Sequence, residues 1–236
     1  MDFTLNNLLK TSLNWLFPQN CAQCQAPNRL EDHPYCQDCY LELPFQHHSC
    51  QQCGQRFAAP TDYCGRCITN PPHFDACFCP FQYKGAVKAA IQDFKYYEKP
   101  ETVKQLAQLF IKELESNGVE YPELLIPTPL HTSRLRARGY NQSLLLTKQL
   151  SKQLDIPYNS KAIIKNKKTA PQARLKLKER QRNVKNCFQL STFINAKNVA
   201  IIDDVVTTGS TANEIAKILK KNGVDYVHVW GLAHTN

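Results

Sequence analysis

The stretch from Asn198 to Leu219 reads NVAIIDDVVTTGSTANEIAKIL, and it decides the fold. Val199, Ala200, Ile201 and Ile202 form a continuous apolar run, the pattern of a strand buried on both faces, and apolar residues return at helical spacing after Ser210. Between the two lie Asp203, Asp204 and the turn Thr207, Thr208, Gly209, Ser210, Thr211. A strand that passes through a glycine-bearing turn into a helix offers backbone N–H groups and hydroxyls to an anion. Two carboxylates one step earlier can accept hydrogen bonds from vicinal ribose hydroxyls. Together these residues describe a pocket for a ribose 5-phosphate.

Working outward, Leu124–Leu130 reads as a second buried strand and Asn141–Leu154 as a helix with Leu144, Leu145 and Leu150 inward. Tyr226–Leu232 reads as a final strand, and residues 77–83 as a further strand ahead of helices near 85–97 and 101–116. Apolar strands alternating with helices predict an α/β fold, a parallel sheet with helices on both faces and ligands at the carboxyl ends of its strands. Leu5, Leu8, Leu9, Leu13 and Leu16 fall at helical spacing, and Pro18 ends the pattern, so residues 1–20 form a short amphipathic unit. Neither a basic start nor a long apolar run is present there or elsewhere, which argues against an export signal or a membrane span.

Eight of the eleven cysteines fall in four CxxC pairs: Cys21 and Cys24, Cys36 and Cys39, Cys50 and Cys53, Cys64 and Cys67. Two residues between thiolates let both sulfurs face one tetrahedral ion, so the four pairs predict two structural Zn2+ sites with closed sulfur shells. Spacing leaves open whether consecutive pairs share an ion or whether the first joins the fourth. Residues 21–72 thus form a small double zinc ribbon, and residues 73–236 the α/β domain. Metal-bound thiols without a disulfide framework place the chain in a reducing cytoplasm. Cys77, Cys79 and Cys187 read as buried small apolar residues.

The 236 residues carry a formal net charge of +9, unevenly distributed. Between Lys161 and Lys185, ten basic residues accompany Glu179 alone. Such a run is either a solvated loop or an element that binds phosphates or a nucleic acid backbone.

The Asp203–Thr211 stretch resembles the phosphoribosyl pyrophosphate (PRPP) loop of type I phosphoribosyltransferases: apolar residues, two acids, two variable residues and a TTG turn. LIPTPLHTSRLRARGYNQS (Leu125–Ser143) and KKTAPQARLKLKERQRNVKNCF (Lys167–Phe188), behind a zinc module, resemble the ComF/ComFC competence proteins and their relative GntX. The resemblance implies a type I phosphoribosyltransferase-like sheet in which Asp203 and Asp204 grip the ribose as the catalytic acids. Thr207, Thr208, Gly209, Ser210 and Thr211 would bind the 5-phosphate, and Mg2+ would arrive with PRPP. It places Arg134, Arg136 and Arg138 in the pyrophosphate-binding loop and makes Lys167–Phe188 a loop that closes over the site. Guanidinium forks just past a buried strand suit diphosphate oxygens on independent grounds.

Thr207 stands where 6-oxopurine phosphoribosyltransferases carry an Asp base, which disfavours that substrate class. Three readings follow. The first is a competence accessory that binds PRPP and contacts incoming single-stranded DNA through Lys165, Lys167, Lys168, Arg174, Lys176 and Arg180. The second is an active phosphoribosyltransferase, whose acceptor pocket the sequence does not identify. The third is an adaptor whose ribbons dock a DNA-uptake helicase.

Overall fold

The computed structural model describes residues 19–28, 34–96, 100–167 and 185–235. The expected N-terminal helix and the basic residues Lys168, Arg174, Lys176 and Arg180 lie outside the described residues.

The described residues begin with a two-stranded ribbon, β1 (Gln19–Asn20) against β2 (Pro27–Asn28), followed by the short helices α1 (Gln37–Leu41) and α2 (Gly65–Thr69). Next come β3 (Ala76–Phe78), β4 (Phe81–Gln82), α3 (Gly85–Tyr96) and α4 (Pro100–Ser116). The rest runs β5 (Leu124–Pro127), α5 (Thr132–Arg138), α6 (Gln142–Leu154), β6 (Ile163–Lys165), β7 (Phe188–Leu190), β8 (Asn198–Val206), α7 (Ser210–Lys221) and β9 (Tyr226–His234). The main sheet has the order β3-β9-β8-β5, with β4 also on β9, and every pairing in it is parallel.

Alternation along β8 divides the core. Ala200 and Ile202 pack on one face with Phe94, Phe110 and Leu150 from α3, α4 and α6. Val199 and Ile201 pack on the other with Ile215, Ala216 and Leu219 of α7. The first cysteine set is continuous with the former cluster through Cys21, Tyr35, Cys39 and Leu43. Tyr40 Oη donates to the buried Glu113 of α4 at 2.6 Å, which ties that ribbon to the sheet's helical layer.

Three expectations are corrected. The strand expected at 77–83 is broken in two at Cys79 and Pro80, although both pieces pair with β9; proline has no N–H to give a ladder. The buried face of α6 is Ser143, Leu146, Thr147 and Leu150, so Leu150 is inward as expected and Leu145 packs half-buried on the core, whereas Leu144 is half-buried, off the stripe that faces the sheet. Leu125–Ser143 is a strand followed by the helix α5, so its arginines sit on helical turns.

Residues 44–51 run along the outer edge of β3 and β4. Gln46 N donates to Pro80 O, Gln82 N to Pro44 O and Cys77 N to Gln51 O, at 2.8 to 2.9 Å. The second ribbon meets the same edge through Gly54, whose φ is +71° and whose Cβ, if it had one, would stand 2.9 Å from Cys77 Sγ. Both the turn and the approach require glycine there. Gly65, by contrast, lies in the first turn of α2 with open space around it.

Candidate functional site

The acids and the turn lie where the apolar run of β8 ends. Asp203 and Asp204 are half-buried at the strand's carboxyl end. Asp203 Oδ1 accepts from the Ser143 hydroxyl at 3.1 Å and from the Asp204 amide at 2.9 Å, and Asp204 Oδ1 accepts the Val205 amide at 2.8 Å. Asp203 is therefore oriented by the backbone and by the first turn of α6, and Asp204 by the backbone, before any ligand arrives.

Gly209 then turns the chain into α7 with φ of +70°, a left-handed conformation that costs a side-chain-bearing residue roughly 1 to 2 kcal/mol. A Cβ there would also stand 3.2 Å from the ring of Phe74, itself 2% exposed. Thr208 Oγ1 and Ser210 Oγ are 2.7 Å apart, and the Ser210 amide donates to Thr208 Oγ1 at 3.4 Å. Hydroxyls and first-turn amides thus converge at the amino end of a twelve-residue helix, the arrangement that holds a phosphate.

The cations come from two other elements. Arg134 and Arg138 are four residues apart on α5 and both half-buried, whereas Arg136 is exposed. Burial first, and then the charge of Arg138, depresses the pKa of Arg134, so the pair gains from an anion between them. Arg138 Nη1 donates to Gln142 Oε1 at 2.9 Å. Lys165, at the end of β6, is half-buried, with its Nζ 5.2 Å from the centre of the Phe188 ring. Its pKa is lowered by burial and by Arg134, against an opposing pull from Cys187 and Asp203. The ammonium therefore belongs electrostatically with the acids and arginines, whereas Lys167 is exposed.

The hairpin β6–β7 that carries Lys165 was not foreseen, since three residues on each side are too few to show a period. Ser143 and Gln142 were also missed as site residues, although both fall within the GYNQS run next to the arginines.

The cysteines settle into two consecutive sets, Cys21, Cys24, Cys36 and Cys39, and Cys50, Cys53, Cys64 and Cys67, with the sulfurs of each within 4.8 Å of one another. This removes the interleaved pairing. The separations Cys24 to Cys36 and Cys53 to Cys64 are both 3.7 Å, against about 3.8 Å for two sulfurs on a tetrahedral ion at about 2.3 Å. One amide donates across each set at 3.3 Å, Cys36 N to Cys21 Sγ and Cys64 N to Cys50 Sγ. Burial opposes ionisation of Cys21, but amide hydrogen bonds from Cys24, Cys36 and Gln23 bring its thiol down to about 6. Both sets fit structural Zn2+ sites, and their four sulfurs leave no position for a substrate.

The chain is 34% identical over 227 residues to competence protein F of Haemophilus influenzae, covering 92% of this chain and 97% of that one. It belongs to the competence protein F family. A second member, DNA utilization protein YhgH of Salmonella typhimurium, is 34% identical over 222 residues, covering 92% of this chain and 98% of its own. Competence protein ComFC of Bacillus subtilis is 26% identical over 146 residues, 61% of this chain and 57% of that protein. A double zinc ribbon domain matches residues 12–68, which include all eight ligand cysteines. The main sheet is parallel and carries the acid pair and the turn at the carboxyl end of β8. Solved structures similar to it include adenine phosphoribosyltransferase of Trypanosoma brucei in complex with AMP, pyrophosphate and ribose-5-phosphate. That structure has 16% identity and a TM-score of 0.41, covering 68% of this chain and 70% of that one. Glutamine PRPP amidotransferase of B. subtilis has 16% identity and a TM-score of 0.39, covering 60% of this chain and 30% of that one. Among the described residues no helix is long and apolar enough to cross a membrane.

Proposed function

We propose that this competence F family member serves DNA uptake in natural transformation by binding a PRPP-like ligand, with its Mg2+, and single-stranded DNA in the cytoplasm. The observation that carries the reading is the convergence of an oriented acid pair, a phosphate turn and the cations Arg134, Arg138 and Lys165 at one end of a parallel sheet. Asp203 and Asp204 would take the ribose diol, the turn from Thr207 to Thr211 the 5-phosphate, and the three cations the diphosphate. Relatives named for competence and DNA utilization support the biological setting. The basic run from Lys161 to Lys185 supports a sequence-independent hold on a DNA backbone, a contact that weakens with salt. We also propose the division into a ribbon unit at 21–72 and a phosphoribosyltransferase-like unit at 73–236.

The test is thermal unfolding with PRPP and Mg2+. Ligand at about 100 times its Kd stabilises by roughly 2.7 kcal/mol, and Asp204→Ala should abolish the shift. No shift in the wild-type protein overturns the PRPP reading. Release of pyrophosphate with a defined acceptor would instead favour an active transferase. The exposed Leu41 and Ile68 on the two ribbons support an adaptor role toward a helicase, to be read by pull-down with the uptake machinery.

A further inference from the structure

A cavity of about 570 Å3 lies beside the second zinc ribbon and the phosphate turn, and apart from the turn itself the PRPP reading gives its lining no role. One wall is the turn itself, Thr208, Gly209 and Ser210, continued by Asn213 and Glu214 on the first turns of α7. Arg66 of α2, Pro71, Pro72 and His73 of the connection to β3, and Lys185 also line it. The ribose-binding carboxylates Asp203 and Asp204 do not line it.

Three properties narrow what fits. The volume falls within the roughly 300 to 1,000 Å3 of small-molecule sites and far exceeds what one phosphate group needs. Charge favours an anion: Arg66 and Lys185 face the cavity, His73 adds a further donor, and the one acid, Glu214, already accepts the Asn186 amide at 3.3 Å. The wall is also rigid, because the His73 amide donates to Asn213 Oδ1 at 2.6 Å and Phe74 packs beneath Gly209. Pro71 and Pro72 give this otherwise polar space an apolar side against which a sugar or base can lie.

We propose that this cavity is a second site that takes a nucleoside phosphate. Its phosphate ester meets Arg66, Lys185 and the outer side of the turn, and its nucleoside lies along the proline pair. The zinc ribbon then serves as one wall of a nucleotide site as well as a structural unit. The inference rests on the turn being a phosphate site, and it adds a neighbour to it. A free nucleotide and a unit within a single-stranded chain present the same chemistry here.

The experiment uses the full zinc-loaded chain and three probes: dAMP, a short oligo(dT), and PRPP with Mg2+. Arg66 lies beside a zinc ligand and Lys185 belongs to the basic run, so the test variants are Asn70→Glu and His73→Glu, both at exposed positions lining the cavity. Each should weaken at least one nucleotide probe about tenfold at low salt while the PRPP-induced thermal shift stays as in the wild-type protein. Loss for oligo(dT) alone assigns the cavity to nucleic acid chains, and loss for both probes assigns it to the nucleotide unit. Unchanged affinity for both probes overturns the proposal, as does a wild-type protein that binds neither. A parallel loss of the PRPP shift also overturns it, because the cavity would then not be separate from the turn. Nucleotide binding without any PRPP shift sinks the PRPP reading and leaves the cavity standing.

Discussion

Ser143 donates a hydrogen bond to Asp203 across 3.1 Å, joining the first turn of α6 to the carboxyl end of β8. Ser143 is buried, so nothing from solvent replaces it. Ser143→Ala should cost about 1 kcal/mol in urea unfolding and should weaken PRPP binding, because Asp203 loses the buried hydroxyl that orients it from α6. A variant with full PRPP stabilisation would show that the Ser143 hydroxyl is not needed to orient the acid.

Gly209→Ala brings two costs together, the left-handed backbone and a methyl 3.2 Å from Phe74. Roughly 1 to 2 kcal/mol should be lost from the backbone alone. The steric part should be recovered in the double variant with Phe74→Leu, read as a coupling energy in a double-mutant cycle. Strict additivity would separate the two residues energetically.

The consecutive cysteine sets make a counting prediction. Cys21→Ser with Cys36→Ser disables one set and should leave about one Zn2+ per chain by metal analysis, since both residues serve the same ion. An interleaved arrangement would lose both ions in that double variant.

Lys165 and Lys167 are two residues apart and differently placed, one half-buried among the site charges and one exposed. Lys165→Ala should reduce the PRPP-induced shift by a few degrees with little effect on oligonucleotide binding, and Lys167→Ala should do the reverse. Equal effects on both ligands would erase the distinction.

The difference between those lysines shows where sequence reading stops. Residues 198–219 carry their structure openly, because a buried strand, an acid pair, a glycine turn and an amphipathic helix follow one another locally. The cysteine spacing likewise announces metal. The inward position of Lys165 depends instead on β7 pairing with β6 across 22 intervening residues, and neither three-residue strand has a period to read. In the same way, α5 looks like a loop from its arginines and acquires its capped start only because His131 Nδ1 accepts the Ser133 amide. Cys24 cannot declare from spacing whether its partner is Cys36 or Cys64; only the folded chain brings it to 3.7 Å from Cys36.

His228 supplies a pH dependence. Burial holds its imidazole below the ordinary 6.5, with Glu120 and Asp75 pulling partly back. As pH falls through 6.5 the unfolded chain takes up a proton that the native state refuses, so stability is full above that value and drops below it. His228→Phe, still flanked by Tyr226 and Trp230, should show a shallower loss of Tm between pH 7 and pH 5 than the wild-type protein. Superimposable pH profiles would rule His228 out.

The strip from Pro44 to Gln51 that lies along β3 and β4 has a meaning beyond holding two units together. A sheet rim left bare is a template for pairing with other chains, and here the cover is a loop whose far end is pinned by Cys50. Metal supply thus becomes a condition for keeping the whole protein monodisperse. Loss of the metal would free that anchor, bare the rim of β3 and β4 and leave the sheet open to pairing with other chains.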